Sequence, residues 1–418
     1  MYQLIFILNA SLQIIALLLG GYFLLMSMAS VIKRKEEDAT KFKIQNKFAV
    51  LIPAHNEESV IAAILESVLA QNYKKDMFDV FVIADNCTDM TAKIACKYDV
   101  NVISRFNKTE IGKGYALDYA IKHIQKKDLH YDAFAFIDAD NLVDPNFLLE
   151  MNKHLSYGHK VIQGYIDSKN PFDSWITASY TLAFSYINRI AQLSRYYLGL
   201  TNIINGSGFV VRNDIIQKYG WDAFTLTEDL EYTLRLNMRD IRVSFASKAL
   251  VYSENPIDLF QSWKQRKRWT QGQVLCMQDY FVPLIKKAIK EKNIYAFDCA
   301  IYSFQAFRIM SLSLSFIYLF LPMFFKGVDL FSYGIIFPTS FWAVICFSQL
   351  VYGPILISCE KKLDMKLLIT FILYPIYNLT WVPITVQSIL DYENKEWFHT
   401  EHTRAMDMND IVKVQDKD

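Results

Sequence analysis

Between Leu4 and Ile32 the chain carries no charged side chain, and a helical run of that length reaches across a hydrocarbon layer of roughly 30 Å. A water-soluble fold has few places for such a helix. A removable leader has a basic start and a shorter apolar core, so residues 1–32 are expected to remain as an anchor. Three more apolar stretches come late in the chain, at about 309–325, 333–358 and 367–390, broken mainly by prolines, glycines and uncharged polar residues. Basic residues follow the first run (Lys33, Arg34, Lys35, Lys41, Lys43, Lys47), and Lys361, Lys362 and Lys366 separate the last two stretches. By the positive-inside rule both segments face the cytoplasm. The expectation is a multi-pass protein of the cell membrane, with residues 33 to about 297 inside the cell.

Hydrophobic residues make up 52% of the chain and cluster at its two ends. The six cysteines form no CxxC pair or metal-ligand spacing, and a formal net charge of +1 gives no general case for nucleic acid. From Phe48 the pattern changes. Strand-like "FAVLIP" and a polar turn "AHNEE" precede helix-like "SVIAAILESVLAQ"; "FDVFVIAD" and "NCTD" precede "MTAKIACKY"; then come "VNVIS", "NKTEIGKGY", "ALDYAIKHIQ" and "AFAFID". Short apolar strands alternating with amphipathic helices specify an α/β domain with a mainly parallel sheet, and such sheets bind ligands beyond the carboxyl ends of their strands. At those ends stand His55-Asn56-Glu57, Asp85-Asn86, Gly112-Lys113-Gly114 and Asp138-Asp140.

Asp138 and Asp140, one residue apart, repel each other unless a cation or a donor network compensates. Asp and Asn are also ordinary turn residues, and Asp144-Pro145 reads as an N-cap followed by the first helical residue. Turn chemistry accounts for any one cluster, but it does not require acids and a lysine at successive strand ends. A divalent cation held by one or two carboxylates, with substrate phosphate oxygens completing its shell, fits Asp138 and Asp140. Lys113, either a solvated lysine or a compact charge near those phosphates, Asp85 as an acceptor for a base or ribose, and His55 as a flat ring make a nucleoside diphosphate the economical ligand.

Farther along, "LTEDLEYTLRL" places Thr227 as an N-cap, with Glu228 and Asp229 in a first helical turn where acids are favoured; a carboxylate there serves equally well as a general base. The glycines of "NGSGFVVR" allow close backbone approach. In "DLFQSWKQRKRWTQGQ" a helix puts Gln265, Arg268, Trp269 and Gly272 on one face. Such a face suits a membrane interface, and it also suits Arg268 on phosphate and Trp269 against a sugar. The two readings are compatible.

This order of motifs resembles the membrane-integrated family 2 glycosyltransferases of GT-A fold, the processive group that includes cellulose, chitin, hyaluronan and poly-N-acetylglucosamine synthases. The resemblance rests on "PAHNEE", "ADNCTD", "GKG", "DAD", "TED" and "QRKRW" in sequence order. It implies an anchor at 1–32, a cytosolic GT-A domain at 45–256, interfacial helices at 257–297, C-terminal transmembrane helices at 298–392 and a tail at 393–418. It further implies Asp85 on the uracil of a UDP-sugar beside His55 and Glu57, with His55 standing where relatives often have Tyr. Lys113 and Asp138 fall near diphosphate and ribose, Asp140 on Mg²⁺ or Mn²⁺, Asp229 as catalytic base, and Glu228, Gln265, Arg268 and Trp269 at the diphosphate and acceptor end. The reaction implied is inverting transfer of a sugar to a growing polysaccharide, coupled to its export. Single transfer to a lipid acceptor and a non-catalytic nucleotide-sugar scaffold are the rival readings. Arg308 is expected at the edge of the second span, either at the headgroups or on a saccharide path. "NKEWFHTEHTR" resembles a Trp-Thr-Arg element of several of these synthases, which lies on the cytoplasmic side. Four full spans would place it outside, unless Pro375 and Pro383 make the last segment re-entrant or broken.

Overall fold

A computed structural model describes residues 2–32, 37–127, 129–305, 354–355, 357–358, 365–393, 404 and 406–411. The expected spans at about 309–325 and 333–358 lie almost wholly outside the described residues, as do Lys33 to Lys35, Arg308, Lys361, Lys362 and residues 394–403.

Eight strands form one sheet: β1 (Phe48–Ala54), β2 (Phe78–Asp85), β3 (Asn101–Arg105), β4 (Ala133–Phe136), β5 (Leu142–Val143), β6 (Val161–Ser168), β7 (Phe209–Arg212) and β8 (Val243–Ser253). Their spatial order is β3-β2-β1-β4-β7-β6-β8-β5. The pairs β1/β2, β1/β4, β2/β3 and β6/β8 are parallel, whereas β7 runs antiparallel to both neighbours and β5 antiparallel to β8. A parallel strand covered on both faces needs an almost continuous apolar run, and β1 supplies one. Phe48, Val50 and Ile52 enter one core, while Ala49 and Leu51 enter the core on the other face. Helices α2 (Ile61–Leu69), α3 (Thr91–Ala95), α4 (Lys113–Lys126) and α5 (Phe147–Ser156) connect the first half of the sheet.

Local details depart from the sequence reading in two places. Helix α5 starts at Phe147 with Asn146 before it, and Asp144 Oδ1 instead accepts from Asn146 N at 2.8 Å. Asp144 thus makes an Asx-type turn, so the helix begins two residues later than the Asp-Pro pair suggests. Thr227 does precede a helix, but its hydroxyl caps nothing. A later helix presses on it from outside at Gly272.

A second layer is helical. Helix α6 (Trp175–Tyr186), held at its start by a Ser174/Thr177 capping box, runs through a π-helical stretch at Ile187–Leu193 into α7 (Ser194–Leu198). Helices α8 (Asn213–Tyr219), α9 (Glu228–Met238), α10 (Leu259–Glu291) and α11 (Ile294–Ser303) follow. The long uncharged run forms α1 (Tyr2–Ser30), and Met365–Leu379 and Trp381–Leu390 form α12 and α13. Gln13–Ser30 and Met365–Leu390 are long and apolar enough to cross a membrane. Helix α1 is fastened to the second layer by polar contacts. The Arg195 guanidinium donates to Asp298 Oδ2 at 2.9 Å and to the Tyr22 hydroxyl at 2.9 Å; Tyr22 also donates to Asp298, and Arg189 donates to the Ser30 carbonyl at 3.0 Å.

Candidate active site

The carboxyl ends of β1, β2 and β4 open on a cavity of about 1030 Å³. His55, Glu57, Asp85, Lys113, Asp138, Asp140, Glu228, Asp229, Gln265, Arg268 and Trp269, eleven side chains spread over more than two hundred residues of sequence, all line it.

The turns after β1 and β2 are tied to each other. Asn56 and Asn86 adopt positive φ (56° and 52°), a conformation Asn tolerates better than most side chains. Asn56 Oδ1 accepts from Thr88 N at 2.8 Å, Glu57 N donates to Thr91 Oγ1 at 2.8 Å, and Glu58 and Asp89 exchange further bonds with backbone amides across the gap. His55 is set by an Nδ1 contact of 2.7 Å to the Asp85 carbonyl. Asp85 itself is buried and paired with a residue the sequence reading missed: Arg105, at the end of β3, donates to Asp85 Oδ1 at 2.7 Å. Burial raises the Asp85 carboxyl above its ordinary value, and Arg105 opposes that shift. Arg105 also donates to the Glu110 carbonyl at 2.8 Å, which fastens the loop leading to Lys113.

Lys113 sits at the centre of the acids. Its Nζ lies 2.5 Å from Asp138 Oδ1 and 3.6 Å from Glu228 Oε1, and it donates to the Gly206 carbonyl at 2.6 Å. Burial works against its charge, but Asp138 and Glu228 outweigh burial and hold the ammonium above its ordinary value. Asp138 is raised by burial and by Asp140, with Lys113 pulling the other way. Asp229 is pushed up to about 7 by burial and by neighbouring Glu228, against Lys113 and Arg268. Gly206, at φ +84°, lies close enough that an added Cβ would stand 3.5 Å from Asp229 Oδ2. Ser207 Oγ accepts from Asp138 N at 3.0 Å and from Asn141 Nδ2 at 2.5 Å, so the "NGSG" loop buttresses the Asp138–Asp140 turn. Behind that turn, buried Lys169 donates to the Asp140 carbonyl at 2.8 Å and to the Arg404 carbonyl at 3.3 Å.

Carboxylates outnumber cations around this cavity; burial first, and neighbouring carboxylates second, raise the proton affinity of Asp138 and Asp229. A divalent cation would relieve that surplus, so the donor set fits one. Among the described residues no three His, Cys, Asp or Glu side chains converge on one ion position.

The opposite wall is helical and aromatic. Helix α10 touches the start of α9 at Gly272, where an added Cβ would lie 2.4 Å from Thr227 Oγ1 and 2.8 Å from Thr227 N. Only the bare glycine lets α10 come this near to Asp229. Gln265 Oε1 accepts from the Tyr180 hydroxyl at 2.9 Å, Trp269 meets the Tyr180 ring edge-on at 6.1 Å, and Arg268 reaches the Leu226 carbonyl at 3.4 Å. Tyr374, Tyr377, Asn378 and Trp381 complete this wall. Tyr377 and Trp381 are clamped by a second residue absent from the sequence reading, fully buried Arg266. It donates to Thr380 Oγ1 at 2.7 Å and packs 4.4 Å from the Tyr377 ring centre and 5.1 Å from that of Trp381. Arg266 was legible as part of the "QRKRW" string, but a helical projection points it away from Gln265 and Arg268.

Over residues 45–272 the sequence matches the family described as glycosyltransferase like family 2. It is 26% identical over 403 residues to the probable glycosyltransferase YdaM of Bacillus subtilis, covering 92% of this chain and 93% of that protein. It is 28% identical over 239 residues to the poly-beta-1,6-N-acetyl-D-glucosamine synthase of Staphylococcus aureus, covering 55% of this chain and 56% of the synthase. In three dimensions it resembles the mannosyltransferase PcManGT of Pyrobaculum calidifontis, solved with GDP-Man and Mn²⁺, at a TM-score of 0.60 and 15% identity over 95% of this chain and 100% of that one.

Proposed function

This chain belongs to glycosyltransferase family 2, and we propose that it transfers sugar from a UDP-sugar, with inversion, to a growing polysaccharide at the membrane. The observation that carries the reading is the convergence of a buffered base, Asp229, with Lys113 and Arg268 in one cavity whose far wall is aromatic. Asp229 takes the proton of the acceptor hydroxyl, that oxygen bonds to the anomeric carbon, and the bond from this carbon to the diphosphate oxygen breaks. UDP leaves with the electron pair. Lys113 and Arg268 supply positive charge where the leaving group develops its negative charge. Asp140, with Asp138 beside it, is the carboxylate that would hold Mg²⁺ or Mn²⁺, and the ion when bound supplies Lewis-acid stabilisation of the diphosphate. Asp85, set by Arg105, accepts from the base; His55 and Glu57 border it. Gln265, Trp269 and Glu228 border the acceptor and diphosphate.

The named synthase of S. aureus and the aromatic wall support a saccharide acceptor. A second reading, transfer of one sugar to a lipid acceptor, draws on the apolar stretch of the same cavity at Phe184, Ile187, Ile190 and Ala191. Incubating the purified full chain in nanodiscs with radiolabelled UDP-sugars and Mn²⁺, and sizing the product, separates the two. A ladder or high polymer supports the synthase; one lipid-soluble monosaccharide product supports the second reading. Binding of UDP-sugar without any transfer leaves the scaffold.

A further inference from the structure

Helix α10 goes on facing the cavity beyond Trp269. Gln273, one helical turn farther, lines the cavity together with Gln265, Arg268 and Trp269, and the helix is fixed on both sides of it. Gly272 is pressed against Thr227. Gln271 Nε2 donates to the Asp391 carbonyl at 2.6 Å. Fully buried Cys276 sets its sulfur 3.8 Å from Thr227 Oγ1 and 3.9 Å from Thr225 Oγ1. With these contacts in place α10 cannot roll the Gln273 side chain out of the wall.

The Gln273 amide has no partner there. Its Oε1 is buried and meets no donor among the described residues, and its Nε2 meets no acceptor among them. Glutamines nearby are used differently. Gln163 accepts from Asn205 N at 3.0 Å and donates to the Ser207 carbonyl at 2.8 Å; Gln192 accepts from Ile203 N at 3.2 Å and donates to the Ile203 carbonyl at 2.7 Å; Gln265 accepts from the Tyr180 hydroxyl. Folded interiors pair such atoms almost throughout, because an amide oxygen stripped of water without replacement is costly. The chemistry of the missing partner is narrow. Phosphate oxygens accept hydrogen bonds and are matched by Lys113 and Arg268, so they offer nothing to an amide oxygen. Oε1 needs a neutral donor, which a sugar hydroxyl supplies, and Trp269 one turn earlier gives the same ring a flat apolar surface. A few fixed polar groups on an otherwise apolar wall are what orient a bound ligand.

We propose that Gln273 binds the acceptor sugar, its Oε1 accepting from one neutral hydroxyl, and thereby sets how that sugar faces Asp229. This deepens the transferase reading, on which it rests, by naming a residue that touches the acceptor and not the donor. Gln273 follows Gly272, whose contact is with Thr227, two residues before Asp229; the charged strand ends stand on the opposite wall.

The test starts with the full chain in nanodiscs, whose own product is isolated and cut into sized oligosaccharides that then serve as the added acceptor. A parent that binds UDP-sugar and transfers none removes the transferase reading, and the proposal with it. A parent whose sole product is a lipid-linked monosaccharide leaves transfer standing and overturns the proposal alone. Gln273→Met then replaces the amide by an apolar chain of like length. A neutral hydrogen bond is worth roughly 5- to 10-fold in an equilibrium constant, so the KM for the oligosaccharide should rise by about that factor with the KM for the UDP-sugar in place. The Tm of the ligand-free variant should hold level or rise, because the change removes an unsatisfied group, and the oligosaccharide should raise the Tm of the parent more than that of the variant. An unchanged acceptor KM overturns the proposal and leaves the amide to a trapped water; a matching rise in the donor KM overturns it as well. Gln273→Leu repeats the measurement with a second shape, and failure of both variants to fold would mean that the amide supports the wall itself, which also overturns it.

Discussion

The two walls of the cavity are built on different principles. The wall proposed to hold the donor is made of strand ends, where each turn delivers one or two charged side chains and neighbouring turns fix one another through backbone amides. The wall proposed to hold the acceptor is made of helix faces, where Tyr180, Gln265, Trp269 and Tyr377 meet because α6, α10 and α12 cross. On the donor side electrostatics decides the geometry: Lys113 holds Asp138 and Glu228, and Arg105 holds Asp85. On the acceptor side aromatic packing and one buried guanidinium decide it. The difference teaches where a change in charge should matter and where a change in volume should.

The largest effect is expected from Asp229→Asn. General-base catalysis supplies about 10²- to 10⁴-fold, so transfer should fall by at least that range while UDP-sugar binding persists; near wild-type transfer would remove Asp229 from its role. Asp140→Ala should abolish the Mn²⁺-dependent part of UDP affinity in calorimetry, and an unchanged affinity with Mn²⁺ would count against Asp140 as a metal carboxylate. Gly272→Ala breaks the seam between the walls. Overpacking of this kind costs about 1–3 kcal/mol, and the variant should lose transfer through displacement of α10, Arg268 included, by a larger factor than it loses donor affinity. If both fall together, the walls are not separable at that seam. Arg266→Gln should raise the KM for acceptor and shorten product while leaving the KM for UDP-sugar in place; a matching change in the donor KM would mean that the clamp serves both walls.

The smallest and sharpest effect is in pH. The raised Asp229 carboxyl is the active base only when deprotonated, so transfer should climb with pH toward about 7. A bound divalent cation would move that limb lower, and Lys113→Met, which removes a charge favouring the carboxylate, should move it higher. The stability sign is opposite. A carboxyl whose folded value is raised contributes its stability at low pH and loses it as pH rises through the folded value, so Asp229→Asn should raise Tm relative to the parent at pH 8 and leave it unchanged near pH 4.

Much of the donor wall was legible because a parallel strand and its following turn are local in sequence: "FAVLIPAHN" already states where β1 ends and what stands there. Arg105 escaped notice because its partner Asp85 lies on the adjacent strand, in a register no single segment reveals. The acceptor wall was legible only as far as the spacing within α10. That Tyr180, Tyr377 and Trp381 join it depends on partners 85 to 114 residues apart in sequence, as for Tyr180 with Gln265 and Arg266 with Thr380, and on Arg266 pointing the other way from its neighbours.

The contact of Tyr22 with Arg195 and Asp298 bears on how modular the protein is. Removing residues 1–44 to obtain a soluble catalytic piece would strip the tyrosine cap from a buried ion pair and the Ser30 carbonyl from Arg189. Arg189 lies within the π-helical stretch that walls the cavity, and Arg195 lies just after it. The N-terminal helix is therefore a structural subunit of the enzyme in covalent form, and any version of this domain that replaces it has to carry a hydroxyl at the position of Tyr22.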